Sequence, residues 1–120
     1  MSKLSNTATA NQVAFGQLGA VFATTPGAEI KPPKGRVFVA LTMLEDCTFD
    51  NTNGLVAEDE NAWFNTNHNA HSLANGSETE SEGSGGVQVT STITFPKGMT
   101  IYGRWTEVDL NGGKLIAYIG

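Results

Sequence analysis

The chain has 120 residues and a mass of 12.7 kDa, enough for one domain with one modest core. Charged residues make up only 16% and there are 14 glycines, a profile that argues against a helical bundle, whose faces need Glu, Lys, Leu and Ala. The net charge of −5 argues against a nucleic-acid or anionic-membrane partner, and the single cysteine, Cys47, excludes an intramolecular disulfide and a four-thiolate zinc site.

No apolar run approaches 18 residues, so no membrane-spanning helix is expected, and residues 1–10 lack the basic-then-apolar order of a secretory signal. Residues 1–32 read as a low-charge N-terminal arm and residues 33–120 as a β domain. A polar Gly/Ser/Asn-rich loop over 67–86 interrupts the domain. Within the arm, Ala14, Phe15, Leu18, Val21 and Phe22 recur at helical spacing. Gly16 and Gly19 each weaken a helix by up to about 1 kcal/mol, so an extended arm or short strand is expected instead.

Residues 36–44 are apolar at nearly every position, the pattern of a strand buried on both faces or lying at a subunit contact. Short strands are expected at Thr48-Phe49 and at Ala62-Trp63-Phe64. Over 87–95, Val87, Val89, Ile93 and Phe95 alternate with polar residues, as in a half-buried strand. Residues 100–108 and 114–119 are two further strands. The Asn111-Gly112 dipeptide between them favours a type I′ turn and predicts an antiparallel hairpin over 100–119. Short strands, Gly/Asn/Pro turns and no helix between them give an all-β sandwich, jelly-roll-like, with an extended N-terminal arm. Pro33-Lys34-Gly35 and Pro96-Lys97-Gly98 each precede a β run. The echo reads either as shared turn chemistry or as two related halves, each opening a central strand with the same turn.

The chemical signals are weak. His68-x-x-His71, with Cys47 as a third donor, has the residue types for a metal but no element to orient them, so solvated loop histidines are expected. Residues 49–60 place Asn51, Asn53, Gly54 and Glu60 at calcium-loop positions, but Phe49 stands where the first ligand belongs, and a β-turn explains the Asn-x-Asn-Gly. Cys47 follows Glu45 and Asp46, whose charges disfavour a thiolate, so a buried, inert thiol is expected. The acidic pairs read as a solvated edge rather than a glycosidase dyad. No catalytic, cofactor-binding or metal residue is assigned, and no cofactor is expected. Trp63, Phe64, Tyr102 and Arg104-Trp105 could stack on a carbohydrate or a partner, although the two tryptophans read more simply as core.

The segments Phe38-Val39-Ala40-Leu41-Thr42-Met43-Leu44-Glu45-Asp46-Cys47-Thr48-Phe49 and residues 94–106, with the ending Lys114-Leu115-Ile116-Ala117-Tyr118-Ile119-Gly120, resemble small virion proteins of tailed bacteriophages. Among these the chain looks most like a capsid decoration, or cement, protein. The resemblance rests on a pattern of β segments over residues 35–65 and 87–120 and transfers no functional residue. It implies small β-rich subunits, often trimeric, on the virion's capsid surface, which bind the major capsid protein and stabilise the head. The arm around Phe15, Leu18, Val21 and Phe22 is the expected contact. The alternatives are a phage tail or fibre module that binds a carbohydrate or host surface through Trp63, Trp105, Tyr102 and loop 67–86, and a cupin-like metal protein, for which no His-x-His follows either Pro-Lys-Gly turn.

Overall fold

The structure, a computed structural model, describes residues 18–25, 29–72 and 83–120. Seven strands occur in it: β1 (Ala20–Thr24), β2 (Phe38–Met43), β3 (Thr48–Phe49), β4 (Leu55–Ala57), β5 (Thr100–Val108), β6 (Leu110–Gly112) and β7 (Lys114–Ile119). Five form one sheet in the order β1-β7-β2-β5-β4, every pair antiparallel, and β3 and β6 form a second, two-stranded sheet. No helix occurs among the described residues, and the all-β expectation holds.

One face of the five-stranded sheet carries the core. Phe38, Leu41 and Met43 of β2, Trp105 of β5, and Leu115 and Ala117 of β7 are buried there. Phe49 and Leu110 from the small sheet, with Cys47 and Val89 from irregular segments, complete the same cluster. Each fully buried large side chain contributes about 1.5–3 kcal/mol.

The near-continuous apolar run of β2 has a different cause from burial on both faces. Its register with β7 shifts between Phe38 and Ala40, two steps on β2 matching one on β7, so Val39 is the extra residue of a β-bulge, while against β5 the shift at the same place puts the extra residue on β5. The bulge lets Phe38, Leu41 and Met43 all point inward, while Ala40 and Thr42 point outward. Ala40 is buried all the same, because Tyr102 on one side and Tyr118 on the other lie opposite it.

The hairpin expected over 100–119 does not form. β2 lies between β5 and β7 and pairs with both. Residues Leu110–Gly112 instead form β6, which pairs with β3. Of the three residues 111–113, only Gly113 has positive φ, at 94°, so the two-residue turn is absent. Inserting β2 buries Leu41 and Met43 among inward residues of both neighbours, a larger gain than one turn dipeptide supplies.

The strands expected at 62–64 and 87–95 are also absent. In the second case side chains replace the ladder. The N–H of Gln88 donates to Asn69 Oδ1 and that of Ser91 to Asn51 Oδ1, while the N–H of Val89 donates to the Asn65 carbonyl. Only Phe95 keeps a β contact, a bridge to Cys47.

The Pro-Lys-Gly echo is structural. The Arg36 N–H donates to the Pro33 carbonyl (2.9 Å) and the Met99 N–H to the Pro96 carbonyl (3.1 Å). Gly35 and Gly98 have φ of 82° and 87° at the third turn position, the type II geometry that glycine alone adopts without strain. The two turns lead into β2 and β5, central strands that are neighbours in one sheet.

Candidate functional site

The outward face of the large sheet holds the first candidate surface. The cross-strand register places Ala20 and Phe22 of β1, Ile116 and Tyr118 of β7, Ala40 and Thr42 of β2, and Thr100 and Tyr102 of β5 on it. None of these eight is charged. Phe22 is 56% exposed and Tyr102 67%, while Ile116 and Tyr118 are half-buried. Charge lies at the ends and borders of this face: Lys114, opposite Thr24 at the end of β7, meets Glu45 at 3.6 Å. Toward β4, Arg104 makes a two-pronged pair with Glu58 (2.7 and 3.1 Å), which holds the Glu58 carboxyl below its usual range, and Lys31 meets Glu107 at 3.4 Å.

Of the arm residues expected to bind a partner, Leu18 (37% exposed) and Phe22 are accessible, whereas Val21 is half-buried and packs on the core. Phe15 lies outside the described residues. β1 is a terminal strand of the sheet. The opposite edge, β4, is covered, since Thr66 donates its N–H to the Leu55 carbonyl and accepts the Leu55 N–H on its hydroxyl.

The second candidate is a groove of about 400 Å³ lined by Trp63, Phe64, His71, Val87 and Tyr102 over a backbone strip at Gly85-Gly86. It unites Trp63 and Tyr102 but excludes Trp105. That indole is fully buried, donates Nε1–H to the Phe64 carbonyl (2.9 Å) and meets the Phe64 ring edge-on at 5.2 Å. His71 Nε2 lies 2.7 Å from the Ala62 carbonyl, which can only accept, so Nε2 donates there.

The groove wall depends on one buried side chain that the sequence reading passed over. Asn65 is fully buried and makes four hydrogen bonds. Its Nδ2 donates to the carbonyls of Glu60 (3.0 Å) and Trp63 (2.8 Å), and its Oδ1 accepts the N–H groups of Asn67 (2.8 Å) and His68 (2.7 Å). These complementary partners also fix which amide atom is which. One asparagine among many in a polar stretch gives no sequence signal for such a role.

The other chemical candidates are occupied by structure. In the calcium-like loop, Asn51 Oδ1 accepts the Ser91 N–H and Asn53 Oδ1 accepts from Asn67 Nδ2. Cys47 is buried, with Sγ 3.1 Å from the Lys114 carbonyl and 3.2 Å from that of Glu45, and burial pushes its thiol pKa up. Among the described residues no three His, Cys, Asp or Glu side chains lie together as a metal would require. Comparison with known proteins gives no family model, no curated protein and no solved structure that matches this chain.

Proposed function

We propose that this chain is a non-enzymatic virion structural protein, a capsid decoration protein that self-associates and docks on the major capsid protein to stabilise a phage head. The observation behind this reading is the uncharged outer face of the large sheet, with Phe22, Tyr102, Ile116 and Tyr118 outward. A face of aromatic, aliphatic and threonine side chains can be covered by a protein partner with little charge to desolvate. Leu18 and Phe22 extend it to the β1 edge.

The test is to mix the protein with assembled shells that lack it. Saturable binding, lost in Tyr118→Glu and kept in Lys34→Glu on the exposed turn, is the expected result. Failure of the wild-type protein to bind any such shell refutes the reading.

A second reading has its own observation. Trp63 and Tyr102 share a groove that, among the described residues, is lined by no Asp, Glu, Lys or Arg, which suits a neutral ring such as a sugar. Glycan-array binding that disappears in Trp63→Ala, with shells ignored, would replace the capsid reading with this one.

A further inference from the structure

β1 is a terminal strand of the large sheet, paired on one side with β7. The Ile119 N–H donates to the Gly19 carbonyl at 2.8 Å. With Val21 opposite Ala117 and Ala23 opposite Leu115, this fixes the phase of the antiparallel ladder. The odd-numbered residues 19, 21 and 23 turn their backbone groups toward β7. The N–H and C=O groups of Ala20, Phe22 and Thr24 therefore point away from the sheet. Among the described residues nothing hydrogen-bonds to them.

Natural sheets protect such an edge with a lysine, a proline, a bulge or a covering segment. Among the described residues β1 has none of these devices. Its sequence, Ala-Val-Phe-Ala-Thr, carries no charge and no proline, and its five-residue register with β7 is unbroken. At the other edge, β4, Thr66 caps Leu55, so among the described residues β1 is the large-sheet edge with three outward residues left unpaired.

We infer that two copies of this chain join β1 to β1 about a two-fold axis at Phe22, making one continuous ten-stranded sheet. The register follows from hydrogen-bond accounting. With Phe22 opposite Phe22 of the second copy, and Ala20 opposite Thr24, all three outward residues of each strand are paired. Centring the axis on Val21 or Ala23 leaves one of the three without a partner inside the strand. The chosen register also sets the two Phe22 rings side by side on the uncharged face, an aromatic cross-strand pair. A head-to-tail ring would need a second open edge, which β4 does not offer.

The pairing goes beyond the proposed docking role and would stand without it, but it bears on the size of the face. Four strands of about five residues give one copy a flat footprint of about 300 Å². A stable interface takes roughly 800 Å² per partner. The two-fold joins two such faces edge to edge into a single plate of about 600 Å².

The experiment uses the full chain without shells. Sedimentation or light scattering across a concentration series should give twice the 12.7 kDa of one chain. Phe22→Pro removes one outward N–H and no bond to β7, so it should return the mass to one chain with the circular dichroism spectrum kept. Phe22→Cys places two Cα atoms about 5.5 Å apart across the axis, within the roughly 4.4–6.8 Å a disulfide spans. It should cross-link on mild oxidation, whereas Thr24→Cys, about 14 Å from its copy, should not. Cys47 is buried and does not compete.

A wild-type monomer at every concentration overturns the inference. Such a monomer with protected amides at Ala20, Phe22 and Thr24 would mean that another part of the same chain occupies the edge. A trimer, a dimer that survives Phe22→Pro, or cross-linking through Thr24→Cys also overturns it.

Discussion

Replacing Asn65 by alanine tests whether the segment that carries Trp63 and Phe64 is held by a single buried amide. The substitution removes four hydrogen bonds of 2.7–3.0 Å from a site with no solvent access. Each is worth about 0.5–1.5 kcal/mol net, and buried groups left unpaired cost more. Water entering from the exposed side at Asn67 recovers part of the loss. The expected cost is therefore about 2–4 kcal/mol, or roughly 10 °C in Tm for a domain of this size. Asn65→Asp is the control. It keeps the acceptor for the Asn67 and His68 N–H groups but turns a carboxylate toward the Glu60 and Trp63 carbonyls. It should be as damaging as alanine at neutral pH and milder in acid, where a protonated carboxyl can donate once. Urea unfolding followed by tryptophan fluorescence measures both, with the m-value showing whether two-state behaviour persists. A loss under about 0.5 kcal/mol for Asn65→Ala with unchanged m would refute the reasoning, since the segment would then be held by its other contacts, the Phe64–Trp105 pair and the His71 bond to the Ala62 carbonyl.

Gly103→Ala would place its Cβ 2.7 Å from the fully buried Trp105 ring, so it should cost about 1–3 kcal/mol by overpacking and redshift or broaden the tryptophan emission. Asp109 has its carboxyl pKa raised by burial, with the Asp50 and Glu29 charges adding to it. The folded state therefore holds this proton more tightly than the unfolded chain, and the contribution falls as pH rises from the unfolded Asp pKa through the folded one. Asp109→Asn should raise stability at pH 7 and flatten that decline, as read from Tm between pH 3 and 8. Glu58 has the opposite sign. Its carboxyl is lowered by the hydrogen bond from Arg104, so its support is present at neutral pH and lost on acidification. Cys47 should resist a thiol reagent in the native state and react at once in denaturant.

The sequence by itself determined the local vocabulary. The runs at 38–43, 100–108 and 114–119 become strands because their β-branched and aromatic residues suit a pleated, half-buried surface. The two Pro-Lys-Gly turns take the same type II form because glycine accepts the required positive φ without strain. Cys47 is buried, as a thiol between two acidic neighbours and an apolar strand suggested. The tertiary structure decided partnership. Asn111-Gly112 has hairpin chemistry, yet β5 and β7 are separated by β2, because side-chain burial across three strands outweighs the preference of a dipeptide. The alternation over 87–95 is genuine, but among the described residues asparagine side chains, rather than a neighbouring strand, satisfy the backbone at Gln88 and Ser91. A bulge at Val39, invisible in composition, decides which apolar residues of β2 face the core. The same non-local choices separate Trp105, sealed in the core, from Trp63 in the groove wall. They also leave β1 as the one large-sheet edge that the described residues do not cover. Strand propensity is written in adjacent residues; pairing order and face are set by contacts far apart in the chain, which a single sequence does not spell out.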